Sequence, residues 1–236
     1  MAENVSFQYH ADILAAYPDI VGGIIVGTGL KNGLTPDPLL AAYQEEQEDT
    51  LDRIGDTPLS EIPSLAAWRA AFRRFGANPT RNRSAAEALL RRLTKHGDIP
   101  SINMLVDMAN LTSIRYGIPV ASMDTRDVQG PITVHFSDGT ERFTELGSDQ
   151  PVTPEVGEVV FSDETKMVVA RRWCWRQSAE SASRPDTTDV IITIEAQHEG
   201  GRAAVESALD DLLALLVRYA GGSYRHAILD VDNPAI

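Results

Sequence analysis

Three short polar side chains interrupt an otherwise apolar helical pattern in the middle of the chain. Asn103, Asp107 and Asn110 are spaced by four and three residues, which places them on one stripe of a helix. Asn and Asp are poor residues for a helix interior because their side chains compete for backbone hydrogen bonds. The stripe therefore indicates either a polar binding surface or a structural role, in which the side chains cap the helix and bond to a neighbouring helix.

A second polar cluster, RRWCWRQSAE, begins at position 171. Read as a strand, it places Trp173 and Trp175 on one face and Arg172, Cys174 and Arg176 on the other, because alternate residues of a strand share a face. Such a polar cluster is a candidate for a site that carries chemistry. The alternative is a pair of tryptophans that packs on helices, with the arginines in solvent.

Motifs for metal or covalent chemistry are missing from the sequence. The histidines are scattered, and there is no C-x-x-C, H-E-x-x-H, Walker loop or G-x-S-x-G pattern. The GTG within Ile20–Leu30 falls short of a dinucleotide-binding fingerprint. Cys174, the single cysteine, lies between two tryptophans and is interpreted as a small packed hydrophobe. The sequence thus predicts a site without a metal, a cofactor or a covalent nucleophile.

Composition indicates a globular protein of the cytoplasm. Hydrophobic residues make up 43% of the 236 residues, and no apolar run is long enough to cross a membrane. The first residues lack the basic and apolar segments of a signal peptide, and a single cysteine excludes an intrachain disulfide. We therefore expect a reducing, cytoplasmic environment and no membrane partner.

Charge is distributed unevenly along the chain. The net charge is −13, yet the segment from Arg69 to Lys95 contains eight basic residues and one acidic residue, a local excess of +7. A basic segment within an acidic protein is able to bind a polyanion at one place and repel it elsewhere. The other interpretation is that these residues form the solvated faces of two helices.

Helical patterns dominate the first half of the chain. One helix is predicted to begin near Asp37, and the apolar spacing between positions 65 and 75 predicts the next. Ser84 and Glu87 form a capping box for a third helix. The polar stripe belongs to a fourth, predicted from Ser101 to Gly117.

Strand patterns follow this helix. The segment PITVHFSDGTERFTELG alternates in hydrophobicity and predicts a hairpin that turns at Asp138-Gly139. Two more strands are predicted around a turn near Asp163, TTDVIITIEAQ is typical of a β-branched strand, and a long helix comes next. With Ile20–Leu30 as an early strand, these patterns predict an α+β fold, in which a mixed, largely antiparallel sheet packs against several helices.

The fourth helix and the strand after it resemble a known motif. The segment LVDMANLTSIRYGIPVASMD is similar to the LVDxxNxxxxxxGxPxxxxD motif of the B3/B4 module in phenylalanyl-tRNA synthetase beta subunits. FRRFGANPTRNRSAAEALLRRL resembles the stand-alone proteins that are built around this module. The segments FTELG, GEVVFSDETKMVVA and TTDVIITIEA follow in the same order as in the module. The resemblance extends over the segment 65–197.

This resemblance implies one B3/B4-like domain over positions 1–236. An N-terminal strand and acidic helix (1–64) precede the B3/B4 core (65–197), and a C-terminal helix and tail (198–236) follow it. The sequence contains no ATP-binding or aminoacylation module, which argues against a synthetase.

In the synthetases, the module hydrolyses tyrosine that is wrongly attached to the phenylalanine tRNA, without a metal or a covalent nucleophile. The resemblance therefore implies a tRNA-binding protein that deacylates mischarged aminoacyl-tRNA in trans, with tRNA and an amino-acid moiety as partners and no DNA. The alternative is a non-catalytic module that binds an amino acid or tRNA. Asp107 and Asn110 match the aspartate and the asparagine of the motif.

This functional interpretation assigns roles to individual residues. We expect Asn110, Arg176, Gln177 and Glu180 to be catalytic, and Asn103, Asp107 and Trp175 to contact the substrate. From the basic segment, we expect contacts to RNA by Arg74, Arg81, Arg83, Arg91 and Arg92.

Two departures from the family pattern alter the expected pocket. Ala121 stands where the synthetases have a pocket histidine. RRWCWRQSAES replaces a glycine-rich GVMGGxxSEV segment, and Glu180 is the nearest counterpart of its glutamate. The pocket is therefore rebuilt, and specificity for tyrosine does not carry over.

Overall fold

The computed structural model describes residues 5–236, which form six α-helices and two principal β-sheets. The helices are α1 (Ala11–Ala16), α2 (Asp37–Ile54), α3 (Pro63–Arg74), α4 (Ala85–His96), α5 (Met104–Tyr116) and α6 (Gly201–Tyr219). The strands are β1 (Phe7–Tyr9), β2 (Val21–Thr28), β3 (Val120–Asp124), β4 (Ile132–Phe136), β5 (Phe143–Thr144), β6 (Pro151–Val152), β7 (Val159–Ser162), β8 (Val168–Arg171), β9 (Arg176–Gln177), β10 (Val190–Ala196) and β11 (Ser223–Leu229).

The two sheets are mixed and largely antiparallel. One has the strand order β1-β4-β7-β8-β9, and the other has the order β11-β2-β10-β3. Within the described strands, β1 pairs with β4 in parallel, and the remaining pairs are antiparallel. This arrangement confirms the predicted α+β fold, although the structure divides the predicted sheet into two.

Strand β10 lies inside the four-stranded sheet and separates two hydrophobic cores. All seven of its residues are buried. Ile192 and Ile194 pack in the core that contains α5 and α6, whereas Ile191 packs in the core next to the five-stranded sheet. Because alternate residues of a strand share a face, Thr193 and Glu195 lie on the same side as Ile191. The strand therefore directs two polar side chains into the space between the sheets.

Helices α3, α4 and α5 confirm the helices predicted between positions 63 and 117. At the start of α4, the Ser84 hydroxyl accepts a hydrogen bond from the backbone N–H of Glu87 at 3.3 Å, as the capping box predicts. The predicted start of α5 at Ser101 is wrong. Asn103 has an extended backbone and is the N-cap, so the helix begins at Met104.

The predicted hairpin about Asp138-Gly139 is also wrong, although the chain does turn there. Strand β4 pairs with β1 and β7, whereas β5 pairs with β6. The Glu141 carboxylate closes the turn, because it accepts hydrogen bonds from the Ser137 hydroxyl at 2.6 Å and from the Asp138 backbone N–H at 3.1 Å. The other predicted pair, β7 and β8, does form antiparallel strands about the turn that starts at Asp163.

Both ends of the described chain contribute strands that the sequence patterns did not predict. Strand β1 is an edge of one sheet, and β11 pairs with β2 at an edge of the other. The division of the chain at positions 64 and 197 stays a prediction. Within residues 5–236, no helix combines the length and the apolar character that a membrane crossing requires.

Candidate functional site

A cavity of about 430 Å³ is formed where the two sheets meet helices α4 and α5. Its walls come from these two helices, from β3 and β10, and from the β8–β9 hairpin. Most of the lining is apolar, with Leu89, Val106 and Phe161 as examples, and Asn110 and Glu195 are polar exceptions. A concave, mostly apolar space of this size with a few polar groups is typical of a binding site for a small molecule.

The segment RRWCWRQ forms the tip of the β8–β9 hairpin, so its prediction as one continuous strand is wrong. Arg171 and Arg176 are paired across the hairpin. The chain reverses through Arg172 and Trp173, which have left-handed φ values of 48° and 60°. Because the reversal breaks the alternation of faces, the two tryptophans lie in different environments.

One tryptophan enters the core and the other stays at the surface. Trp173 is fully buried, with its ring centroid 5.3 Å from that of Trp68. Trp175 is half-buried, and the guanidinium groups of Arg172 and Arg176 each lie 4.8 Å from its ring centroid. Such cation–π contacts hold the arginine side chains against the indole.

A basic groove of about 420 Å³ adjoins the cavity. It is lined by Arg81, Arg83, Ala88, Arg91, Arg92, Lys95, His96, Trp175 and Arg176. Ala88, Arg92, Trp175 and Arg176 also line the cavity, and we call these four residues the shared mouth. The apolar cavity therefore opens into a strongly cationic surface.

The cations of the basic groove differ in how far they are neutralised. Arg83 lies 3.7 Å from a carboxylate oxygen of Glu87, and Arg92 lies 3.8 Å from one of Asp98. Arg81, Arg91 and Lys95, by contrast, take part in no ion pair in the described part of the chain. These three positive charges are available to an external anion.

Arg74 differs from the other four arginines that the sequence assigns to RNA binding. It does not line the basic groove. Its guanidinium instead lies 5.0 Å from the ring centroid of Tyr17, a contact within the protein. The structure therefore brings four of the five predicted residues together and places Arg74 elsewhere.

Asn103 and Asp107 do not line the cavity, contrary to the prediction of one binding stripe. Asn103 caps α5, and its Nδ2 donates a hydrogen bond to the Ser183 carbonyl at 3.0 Å. Asp107 is fully buried and accepts hydrogen bonds from the hydroxyls of Thr35 and Ser101, each at 2.5 Å. The side chains of both residues therefore form contacts within the protein at the start of the helix.

Asn110 and Arg176 line the same cavity, although they are distant in sequence. Asn110 is half-buried, and burial raises the pKa of the nearby Tyr43 hydroxyl, an effect that the Asn110 amide opposes. Asn110 thus lies at the border between the helical core and the cavity. Arg176 is exposed at the shared mouth, where it forms an ion pair with Glu145.

Gln177 and Glu180 do not have the geometry that their predicted catalytic roles require. Gln177 lines the cavity, but its Nε2 donates to the carbonyls of Ser122 at 2.9 Å and Ser181 at 2.5 Å. With both N–H bonds used, it has no donor left for a substrate carbonyl. Glu180 lies outside the cavity lining and pairs with Arg142 at 3.2 Å.

Cys174 and Ala121 both line the cavity. Burial, and next the charge of Glu195, raise the pKa of the Cys174 thiol well above its ordinary value. The thiolate is the nucleophilic form of cysteine, so this environment disfavours covalent catalysis. Ala121, which the motif resemblance aligns with a pocket histidine of the synthetases, offers only a methyl group. Among residues 5–236, no cluster of three or more His, Cys, Asp or Glu side chains is placed to hold a metal ion.

The sequence interpretation missed Glu195, a buried carboxyl group of the cavity. The residue is 1% exposed, and its Oε1 accepts hydrogen bonds from the Tyr9 hydroxyl at 2.6 Å and from Trp173 Nε1 at 3.0 Å. Burial raises its pKa to about 7, although the hydrogen bonds from Tyr9 and Trp173 lower it. The available signal was an acidic residue within the apolar strand VIITIEA, since burying a charge is costly.

Comparisons with known proteins agree with the motif resemblance. The family model for the B3/4 domain matches residues 67–221. Among solved structures, the chain is similar to an N-terminal fragment of the phenylalanyl-tRNA synthetase beta-subunit from Pyrococcus horikoshii, with 14% sequence identity and a TM-score of 0.48. That alignment covers 94% of this chain and 51% of the fragment, so the chain spans about half of the fragment's length. No curated protein matches the chain. Because the family model matches more than half of its residues, the chain belongs to the B3/4 domain family.

Proposed function

We propose that the protein binds aminoacylated tRNA and hydrolyses the ester of a wrongly attached amino acid. The observation that supports this proposal is the shared mouth, through which an apolar cavity opens into a basic groove. An aminoacyl group is small and partly apolar, whereas the RNA end that carries it is a polyanion. The similarity of LVDMANLTSIRYGIPVASMD to the motif of a synthetase editing module supports the same class of substrate.

The basic groove is suited to the phosphates of the RNA end. Arg81, Arg91 and Lys95 carry charges that no described carboxylate neutralises. Lys and Arg contacts to phosphates position a nucleic acid and supply most of its sequence-independent affinity. At the shared mouth, Trp175 adds an aromatic face on which a terminal base can stack.

Positioning and electrostatics are sufficient chemistry for this reaction, because an aminoacyl ester is already activated. A water molecule attacks the ester carbonyl, the bond from that carbon to the ribose oxygen breaks, and the ribose oxygen takes up a proton. We assign Asn110 to the orientation of this water and Arg176 to the stabilisation of the oxyanion that forms. The products are a free amino acid and an uncharged tRNA.

A second candidate is a non-catalytic module that binds an aminoacyl group or tRNA. Two observations favour it. Ala121 offers no proton-transfer group where the synthetases have a histidine, and both N–H bonds of Gln177 are used within the protein. Such a module binds its ligand through the cavity and the basic groove but does not accelerate hydrolysis of the ester.

Incubation with a panel of mischarged tRNAs, with loss of the ester as the readout, tests the proposal. We expect Asn110→Ala to lower the rate of ester loss by about tenfold to a thousandfold, the usual effect of losing one preorganised polar group. An unchanged cooperative melt is needed first, because Asn110 is half-buried at the border of the helical core, where truncation of a side chain lowers stability. If no tRNA loses its amino acid faster than in buffer while aminoacyl-tRNA binds tightly, the second candidate replaces the first.

The basic groove has its own test with tRNA binding at several salt concentrations. Replacing Arg81 and Arg91 with Ala removes two unpaired cations and should reduce the salt slope of log K by about 0.7–0.9 for each lost phosphate contact. Arg74→Ala is the matched control, because this arginine contacts Tyr17 and lies outside the groove. Equal slopes for the double variant and the unmodified protein would rule out the groove as the RNA surface.

A further inference from the structure

Glu195 is the single acidic residue among those that line the cavity. It projects from the buried strand β10 and is 1% exposed. A carboxylate in such a place is costly unless it is paired or hydrogen-bonded, because it loses its hydration. A carboxylate here needs either a structural partner within the protein or a partner that arrives from outside, and without one the group favours its protonated form.

The protein supplies hydrogen bonds to one side of this carboxyl group. Oε1 accepts from the Tyr9 hydroxyl at 2.6 Å and from Trp173 Nε1 at 3.0 Å. Oε2 accepts no hydrogen bond from residues 5–236, and no arginine, lysine or histidine of that range lies within ion-pair distance of the group. Two neutral donors therefore fix the orientation of the carboxyl group and leave its ionised form without a counterion.

The charges along the cavity have opposite signs at its two ends. At the shared mouth, the cavity meets the basic groove, in which three cations have no carboxylate partner in the described part of the chain. Glu195 lies at the buried end, held by Tyr9 and Trp173, which are both buried. A ligand that fits this polarity enters with a cationic group first and keeps its carbonyl or anionic part at the mouth.

We propose that Glu195 binds the ammonium group of the aminoacyl moiety and restricts the substrate to esters with a free amino group. This inference rests on the proposed function and specifies its substrate class. The free oxygen Oε2 accepts a charge-assisted hydrogen bond from the ammonium, which supplies the missing counterion. An N-acylated aminoacyl group, such as the one in peptidyl-tRNA, has no positive charge to offer and is rejected.

Binding of small probes tests this proposal directly. Calorimetry at pH 7 measures the affinity for the amides of the standard amino acids and for their N-acetyl derivatives, which lack the ammonium group. We expect at least one amide to bind about 10- to 150-fold more tightly than its N-acetyl counterpart, the value of one hydrogen bond to a charged group. Glu195→Gln should remove this preference, while it keeps an oxygen for Tyr9 and Trp173.

Glu141→Gln is the matched control, because Glu141 is also a buried carboxylate and does not line the cavity. It should keep the full preference for the free amino group. Absence of binding by every amide, equal affinity for the amides and their N-acetyl derivatives, or an unchanged preference in Glu195→Gln would each overturn the proposal.

Hydrolysis separates this proposal from the proposed function. If the protein accelerates the loss of the amino acid equally from mischarged tRNA and from its N-acetylated form, it is a hydrolase and the role of Glu195 is wrong. If neither is hydrolysed while the amides show the preference that depends on Glu195, the ammonium site stands and the hydrolase proposal is wrong.

Discussion

We expect the free energy of unfolding of the unmodified protein to fall as the pH rises, because Glu195 loses a proton. Replacing Glu195 with Gln should remove this fall. Burial raises the pKa of Glu195 in the folded protein from its ordinary 4.5 to about 7, against the lowering effect of the hydrogen bonds from Tyr9 and Trp173. Between these values, the folded protein holds a proton that the unfolded chain has already released. The stability that this proton provides is present below pH 4.5 and is lost as the pH rises through about 7.

The size of this effect follows from the pKa difference. One pKa unit corresponds to ~1.4 kcal/mol, so the shift from 4.5 to about 7 amounts to about 3 kcal/mol in total. Most of it, about 2–3 kcal/mol, falls between about pH 5 and pH 8. Glutamine has no proton to lose in this range. As the pH rises from about 5 to about 8, the free energy of unfolding of Glu195→Gln should therefore increase by about 2–3 kcal/mol relative to that of the unmodified protein.

The other charged groups near Glu195 do not obscure the measurement. Burial raises the pKa values of both Tyr9 and Cys174, so neither ionises between about pH 5 and pH 8. His198, whose pKa burial lowers, titrates in the unmodified protein and in the variant alike, and its contribution cancels in the difference.

Urea unfolding at half-unit pH steps measures this difference. Glu141→Gln is again the control. Burial raises the pKa of Glu141, but hydrogen bonds from Ser137 and from the Asp138 backbone outweigh it and leave the pKa below its ordinary value. The Glu141 carboxyl group therefore loses its proton below the measured pH range. The difference in the free energy of unfolding between Glu141→Gln and the unmodified protein should not change with pH. If this difference is also independent of pH for Glu195→Gln, Glu195 is already ionised at pH 5. That result would refute the claim that Glu195 is a buried carboxyl group without a counterion.

Three further substitutions separate the roles of the residues around the site. Tyr9→Phe removes a hydrogen bond that lowers the pKa of Glu195, so the carboxyl titration, followed by NMR, should move to higher pH; an unmoved titration would contradict the contact. Cys174→Ser should leave ester hydrolysis nearly unchanged, because desolvation keeps the thiol protonated and therefore a poor nucleophile, and loss of activity would indicate covalent catalysis. Asn103→Ala should lower the free energy of unfolding by ~0.5–2 kcal/mol through loss of the N-cap, without altering the preference for a free amino group.

The sequence predicted the elements whose patterns are local. Ser84 and the helix after it, the long helix α6 and the β-branched strand β10 follow from spacing and capping that a single segment contains. Strand β1 is three residues long and β11 is an edge strand with few buried residues, so neither has a period that distinguishes it from a loop.

The site was less predictable than the fold, because its residues are defined by partners from distant segments. Asp107 lies on the predicted stripe, yet its carboxylate accepts hydrogen bonds from the Thr35 and Ser101 hydroxyls and has a structural role. Glu195 lies in a strand without any catalytic motif, and its character depends on Tyr9 from the other end of the chain. Spacing along one segment does not reveal such pairs.

The β8–β9 hairpin links the two ends of the cavity. The left-handed backbone at Arg172 and Trp173 ends the strand alternation and lets the Trp173 indole enter the core, where its Nε1 holds Glu195 at 3.0 Å. The same reversal leaves Trp175 and Arg176 at the shared mouth. One short segment thus supplies a donor to Glu195 at the buried end of the cavity and two residues to the shared mouth. The distribution of charge along the cavity therefore depends on the conformation of this hairpin. A replacement that restores a regular strand here would displace the donor to Glu195 and the arginine at the mouth together.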